Sequence, residues 1–474
     1  MVKQLDKITP RNFDFAKWYT DIVINAKLAS YGAVKGTMIF RPYGYAIWEL
    51  IQKHLDLEFK KIKVQNVYFP LLIPESLFNR EKDHIEGFSP EIATVTKVGD
   101  KQLEEVLFIR PTSEVLMMDF FSNEVNSYRD LPLIYNQWCN VMRWEKTTRP
   151  FLRTSEFLWQ EGHTVHNSYN EAEEFTLKVL QIYKNFAQKI LLLPVIAGKK
   201  TVKEKFAGAK DTYTIESLMF DGQALQCGTS HFFADNFSKA YDIKFQNKDG
   251  QLEYAYSTSW GVSTRLIGAI IMTHSDDNGL ILPSSISPIQ VQIIQIKNTD
   301  QIQKVAKQIK KQLANYRTEI DDTDKSFGFK ISEAEIKGIP IRIEIGPRDL
   351  ENHQLTISRR DDQTNKIKVD INNVVSSVDQ MIKDYDNSLY QKALQNRESK
   401  TFTADSIEQY IEILKQNQGF VLVPFCGDIT CENDVKQKTS TNSRCIAFDV
   451  EQTKSKCFNC KKDSQLKVYF ARAY

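Results

Sequence analysis

Long apolar runs are missing from this chain. Nowhere do about 18 apolar residues follow one another, the length that a helix needs to cross a bilayer, so no membrane-spanning helix is expected. The first residues, MVKQLDKITPRNFDF, lack the apolar core of a signal peptide, and the expected location is the cytoplasm. Excess charge of one sign is also missing. The 62 Lys and Arg nearly balance the 60 Asp and Glu, leaving +2, so no global field announces a polyanion, although a local basic surface fits inside a balanced total. Cysteine is scarce, seven in 474 residues, and five of the seven fall after residue 425. An odd, clustered set excludes a disulfide framework and points to a reduced compartment and a metal. No internal repeat or low-complexity tract is found. What remains is ordinary globular material, 42% hydrophobic and 26% charged, long enough for two to four domains with cores of their own.

The most informative stretch runs from Cys139 to His163, CNVMRWEKTTRPFLRTSEFLWQEGH, and reads as strand, loop, strand. Side chains alternate along a strand, so residues two apart share a face. Arg143 and Glu145 share one on the first strand; Arg153, Phe157, Trp159, Glu161 and His163 share one on the second. A buried face would not choose these charges and a solvated face would not choose these rings. A site for a charged, ring-bearing ligand accommodates both; the alternative is an amphipathic hairpin with surface charges.

Around it the chain alternates helices and strands. A helix is expected over 13 to 30, and a second over Tyr43 to Ile62, with Ile47, Leu50, Ile51, His54, Leu55, Phe59 and Ile62 in one stripe. The extended segment 64 to 73 follows, then a loop-like stretch, Glu81 to Thr96, with His84 and Phe88. Thr112-Ser113-Glu114 enters another helix. It serves either as a helix cap or as a pair of acceptors, Thr112 and Glu114, for a substrate ammonium. A long amphipathic helix is expected over Asn170 to Leu191. Small residues surround Gln226, Thr229 and His231, where a lone histidine is otherwise a structural one. Ser263, Thr264 and Arg265 open the apolar helix LIGAIIMTH, a place where donors meet phosphate oxygens. The PSSISP run from Pro283 to Pro288 reads as a linker. Strands and helices then alternate through Asp300 to Tyr316, Ile339 to Ile345 and Leu355 to Arg360, as in an α/β domain, and Lys383 to Arg397 reads as a connecting helix. Two cysteine pairs, Cys426 with Cys431 and Cys457 with Cys460, suit a closed tetrahedral zinc site. Cys445 is expected to be a small buried residue.

Together these stretches resemble the class II aminoacyl-tRNA synthetases. Arg143-x-Glu145, the loop, Arg153, Phe157 and Glu161 are similar to motif 2 of that family, with Met142 where many members place Phe. The 43 to 73 region resembles motif 1, and 259 to 265 resembles motif 3. FIRPTSE, NQWCNVMRWE and FLRTSEFLWQEGH are similar to the prolyl branch, and the paired cysteines and terminal Tyr474 to its archaeal/eukaryotic type. Ser275 and Ser284 depart from the Gly and Pro of the family's His-Gly-Asp stretch. The resemblance implies a class II antiparallel-sheet catalytic domain over 1–284, an α/β anticodon-binding domain over 285–385 and a small zinc-binding α/β domain over 386–474. The interval between motifs 2 and 3 leaves no room for an inserted editing domain.

The resemblance also implies the site. Proline would lie against Thr112, Glu114, Arg143, Phe157, Trp159, His163, His231 and Ser263. ATP with Mg²⁺ would lie against Arg143, Glu145, Arg153, Thr154, Phe157, Gln226, Thr229, Thr264 and Arg265, and Arg143 and Arg265 would stabilise the reacting charge. Glu344, Arg348 and Arg359, with Arg360 beside them, would read anticodon bases; a solvated charged rim is the alternative. The implied partners are tRNA(Pro), L-proline, ATP and a second copy of the chain. Two other readings are a non-catalytic paralogue, which would be expected to lose Arg143, Arg153 and Arg265, and a related ligase for another amino acid.

Overall fold

A computed structural model describes residues 8–80 and 92–474; His84 and Phe88 lie outside them. The first helices form for reasons legible in the chain. Asp14 caps Phe15–Asn25 by accepting from the Lys17 amide, and the helix stops where Lys27 turns to φ 57, earlier than the expected position 30. Pro42 opens Pro42–Lys61, and Ile47, Ile51, Leu55 and Phe59 recur every four residues to make its buried stripe. The segment after it is not one strand. Gln65–Asn66 runs parallel to Leu133–Met142, whereas Leu72–Pro74 pairs antiparallel with Lys101–Ile109 in a separate three-stranded sheet. Pro70, which has no amide to donate to a ladder, stands between the two pieces.

The centre is an eleven-stranded sheet. Its middle strands run in the order Ile196–Lys199, Asp211–Leu218, Ala224–Ala234, Tyr256–Ser263, Glu156–His166, Leu133–Met142, each antiparallel to the next. The helix Tyr169–Lys189, capped by Ser168, packs Val179, Tyr183 and Phe186 against this sheet, close to the expected bounds. The sheet does not stop at the catalytic strands. Asn442–Ala447 pairs with Ile196–Lys199, so the strands of the C-terminal segment continue the same sheet.

A second sheet orders Thr318–Asp321, Val291–Gln295, Ile341–Ile345, Gln354–Arg359 and Asp362–Asp370, parallel in its first pairings and antiparallel in its last. The helix Asp300–Gln312 beside it ends short of the expected Tyr316. The run at 283 to 288, expected as a linker, is instead a tight joint. Ser284 and Ser287 are buried, the Asp386 carboxylate accepts from the Ser284 amide at 2.9 Å, and Arg317 donates to the carbonyls of Ser284, Ser285 and Ser287. The Ser284 hydroxyl and the bare carbonyls of this run found partners from distant chain, which no local pattern reveals. The connecting helix, expected from Lys383, is longer, Val374–Ser399, and position 385 lies inside it.

Candidate active site

The middle strands bring the chemistry to one face. A cleft of about 220 Å³ is lined by Thr112, Glu114, Arg143, Phe157, Trp159, Glu161, Gln226, Thr229, His231, Ser263 and Arg265, among others. A smaller recess of about 50 Å³ shares Arg143, Phe157, Ser263 and Arg265 with it and adds Glu145, Arg153 and Thr154. One end is therefore acidic and the other carries the arginines.

The acidic end is built around Glu161, which is buried and saturated with donors. Its carboxylate accepts from the Ser113 amide at 3.0 Å, the Ser113 hydroxyl at 2.5 Å, the Gln137 amide at 2.7 Å and the Thr112 hydroxyl at 3.2 Å. His163 Nε2 lies 3.1 Å from the same carboxylate. Burial pushes Glu161 up, but the hydrogen bonds from His163, Ser113 and Gln137 and the charge of His163 together hold it below the usual carboxylate range. Burial pushes His163 down, and the Glu161 hydrogen bond with the charges of Glu114 and Glu161 reverses this, so the imidazole is raised. Glu161 is thus an ionised partner of His163. Ser113 occupies the cap position of Glu114–Glu124 yet makes no cap hydrogen bond, because its hydroxyl is spent on Glu161. Thr-Ser-Glu does start a helix, with Ser113 at the cap position and Glu114 in the first turn, but no side chain makes the cap hydrogen bond.

Thr112 and Glu114 face the cavity, the Thr112 hydroxyl donating to Glu114, while the Ser259 hydroxyl donates to the same carboxylate at 3.3 Å. His163 is fully buried behind Glu161 and is not on the cavity wall. His231 is on the wall. Burial first, then His163 and Arg143, hold it down at about 3, so it is a neutral imidazole, with Phe206 4.5 Å from its ring.

At the other end Arg143 follows directly on the strand Leu133–Met142, its Nε donating to the Pro111 carbonyl at 3.0 Å. Its guanidinium lies 5.6 Å from the Phe157 ring centre and 5.3 Å from that of Trp159. Arg153 is not on the second strand, as its parity implied, because that strand begins at Glu156. It stands in the preceding turn, where Arg149 and Arg153 exchange backbone hydrogen bonds, and its guanidinium is 3.5 Å from Glu145. Thr154 donates to the Glu156 carbonyl. Arg265 begins the helix Arg265–His274 and donates from Nε to the Leu152 carbonyl at 3.2 Å. Burial, then the charge of Arg153, holds it below the usual arginine range, with Arg143 and Arg444 adding to the effect. Cations that repel one another in a cleft are a site for a polyanion. Thr264, next to Arg265, is buried and lines neither cavity.

Comparison with known proteins identifies the scaffold. Residues 95–274 match the model of the tRNA synthetase class II core domain (G, H, P, S and T), 290–381 an anticodon binding domain, and 407–474 the C-terminal domain of prolyl-tRNA synthetase. The proline–tRNA ligase of Mycoplasma mycoides subsp. mycoides is 80% identical over 474 residues, all of both chains. That of Ruminiclostridium cellulolyticum is 50% identical over the whole of this chain and 99% of its own. The chain belongs to the prolyl-tRNA synthetase family. A crystal structure of prolyl-tRNA synthetase from Cryptosporidium parvum, complexed with halofuginone and AMPPNP, superposes with a TM-score of 0.94 at 38% identity, covering 99% of each chain.

Within this family fold the four cysteines converge. Their sulfurs lie within 4.8 Å of one another, with Cys431 and Cys457 3.8 Å apart and Cys426 and Cys460 3.6 Å apart. A disulfide would need about 2.05 Å. Four thiolates at about 2.3 Å from one ion stand about 3.8 Å apart, so the donor set fits zinc. Asn459 donates to Cys431 Sγ at 3.3 Å, an outer contact of the type that orients a ligand. Cys445 is fully buried, as expected.

The expected anticodon readers divide. Arg348 stands in the short helix Pro347–Glu351. Glu344 is buried and bonded to Lys366 at 2.8 and 3.0 Å, and Arg359 is paired with Asp361 at 2.7 Å. Arg360 is not available to a base, contrary to expectation. It is buried and grips Asp276 with two bonds of 2.9 and 2.6 Å, joining the second sheet to the turn after the Arg265 helix. Several site residues escaped sequence reasoning: Ser113 and Gln137, which hold Glu161, and Glu204 and Phe206 on the cavity wall. Ser113 and Gln137 stood inside the stretches FIRPTSE and NQWCNVMRWE but were given no role of their own, and Glu204 and Phe206 lie far from the hairpin in sequence and carry no pattern that ties them to it.

Proposed function

We propose that this chain ligates L-proline to tRNA(Pro) in two steps, forming prolyl-adenylate from ATP and then passing the prolyl group to the tRNA 3′ end. The observation that carries the reading is a single cleft with an acidic, ring-lined end and an arginine end. Proline's secondary ammonium has two N–H groups, and Thr112 and Glu114 can accept both. Glu161 is already engaged by Ser113, Gln137 and His163, which leaves Glu114 as the carboxylate on the cleft wall for the ammonium to meet. Phe157, Trp159 and the neutral His231 give the flat ring apolar walls, with His163 acting through Glu161. The proline carboxylate attacks the α-phosphorus of ATP, the α–β bond breaks, and its electron pair leaves on pyrophosphate. Arg143, which lines both cleft and recess, would meet the charge that builds on the α-phosphate, and Arg265 and Arg153 would hold the departing pyrophosphate. Phe157 with Glu145 and Thr154 forms the recess for adenine, and Gln226, Thr229 and Ser263 offer donors along the nucleotide. Mg²⁺ bound with ATP would neutralise phosphate charge.

The finer assignments belong to the same reading. The family's archaeal/eukaryotic type is supported by the likeness to the Cryptosporidium parvum enzyme over 99% of each chain. Structural zinc on Cys426, Cys431, Cys457 and Cys460 is supported by the sulfur spacing. A homodimer, cytoplasmic location, the 1–284, 285–385 and 386–474 division, and Glu344, Arg348 and Arg359 as anticodon readers rest on family membership. Among the described residues no helix is long and apolar enough to cross a membrane. The test is ATP–pyrophosphate exchange with each amino acid. Proline is expected to support it and the others far less; exchange best supported by another amino acid overturns the reading.

A further inference from the structure

A larger cavity, about 660 Å³, opens beside the cleft, and the reading above uses Arg153, Gln226 and Arg265 of its wall but assigns no role to Arg149, Asn442, Arg444 or Tyr474. Its walls include Arg149, Arg153, Arg265, Asn442, Arg444 and Tyr474. Arg265 is common to it, the cleft and the recess, so the three spaces adjoin. Arg444, Asn442 and Tyr474 come from the C-terminal segment, which reaches the site because its strand Asn442–Ala447 extends the central sheet.

Arg444 is surplus to the charge balance around it. The buried Glu216 is already paired with Lys200 at 2.8 Å, and that pair is neutral by itself. Arg444 adds bonds of 3.0 and 2.7 Å to the same carboxylate, so the buried group of three carries one positive charge in excess. Burial pushes Arg444 down, but Glu216 and then Glu204 hold it above the usual arginine range, so it stays a cation on the cavity wall. Among the described residues neither Arg149 nor Arg265 makes an ion pair. Arg149 lies 5.4 Å from the Tyr474 ring centre, and Arg265 donates to a carbonyl. Against these cations the cavity wall sets Glu204. After burial, the charges of Arg153, Arg143 and Arg444 lower Arg265, which agrees with a cationic patch centred on Arg265 and spanning cleft and cavity.

We propose that this cavity is the binding site and exit path of pyrophosphate, and that Arg444 and Arg149 are two of its ligands. The inference rests on the functional reading above. In the forward step the β-phosphate leaves with the electron pair of the α–β bond and passes from Arg265 and Arg153 to Arg149 and Arg444. In reverse, a pyrophosphate oxygen attacks the α-phosphorus of prolyl-adenylate, the bond to the proline carboxylate breaks, and ATP and proline are regenerated. The C-terminal segment thereby contributes directly to the chemistry of the first step.

The test uses the full chain with Arg444→Met, Arg444→Lys and Arg149→Gln. Pyrophosphate KM is measured in the exchange reaction, with proline KM and the tRNA KM of aminoacylation alongside. Loss of one charge-assisted contact is expected to raise pyrophosphate KM about tenfold or more, with proline KM held, and Arg444→Lys is expected to recover part of it. Wild-type pyrophosphate KM in Arg444→Met and Arg149→Gln proteins that melt like the parent overturns the proposal. A raised tRNA KM with unchanged pyrophosphate KM also overturns it and gives the cavity to the tRNA 3′ strand. Should Arg444→Met not fold, Arg149→Gln decides by itself. Failure of the functional reading would look different, since the parent protein itself would then show no proline-dependent exchange.

Discussion

Glu161 never has to touch proline to govern its binding, and Glu161→Gln measures how strongly it does so. One carboxylate oxygen accepts from the Ser113 hydroxyl and the Gln137 amide; the other accepts from the Ser113 backbone amide and the Thr112 hydroxyl and meets His163. A glutamine keeps the shape but turns one oxygen into a donor. Whichever way the amide lies, its NH₂ faces at least two of those donors, and backbone amides cannot rotate away. Leaving a buried donor unpaired costs about 1–3 kcal/mol each, and His163 also loses its counter-charge. We therefore expect about 3–5 kcal/mol lost from this end of the site. If most of it appears as displacement of the Thr112–Glu114 loop, proline KM rises roughly 10²-fold or more, at about 1.4 kcal/mol per tenfold. ATP KM changes little, because Arg143, Phe157 and Arg265 do not bond to Glu161. The assay is proline-dependent ATP–pyrophosphate exchange with each substrate varied in turn. A folded Glu161→Gln protein whose proline KM moves less than its ATP KM refutes the reasoning.

Three other outcomes are expected. Arg143→Ala should lower exchange by roughly 10²-fold or more, the effect of removing one preorganised charge donor, and near-parental exchange would remove Arg143 from its role. Metal analysis should find one zinc per chain and Cys457→Ser should release it and lower the melting temperature; a metal-free protein indifferent to chelator would show that the thiols stay unligated. The third concerns pH. His163 is raised, so its share of the site's stability is complete below about 6.5, the ordinary value, and is lost as pH climbs through its higher folded value. Glu161 is lowered, so its share is present above about 4.5 and is lost as pH falls through its lower folded value. Proline KM should be lowest between these limits and rise on the alkaline side; a flat profile there would mean that His163 works uncharged.

Much of the site could be read without coordinates. Parity along Glu156–His166 put Phe157, Trp159 and Glu161 on one face because alternation is a property of the strand itself. The four cysteines were legible because short spacings hold each pair close in any fold. Parity misled where the backbone stopped being a strand, and so Arg153 reached the recess from a turn. The serines at 284 and 287, which read as linker, became a joint through Asp386 and Arg317.

What the sequence alone determined is whatever depends on neighbours in the chain: helix stripes, strand faces, caps and close ligand pairs. The tertiary structure decided which charges are spent and which are free. Arg360 and Arg359 sit side by side in the chain, yet one is buried on Asp276 and the other pairs locally with Asp361. Ser113 looks like a cap and holds Glu161, while Arg444 lies more than two hundred residues from the Glu216 it meets. The worth of a charge is set by its partner and by the water it loses, and both arrive only when distant strands close into one sheet.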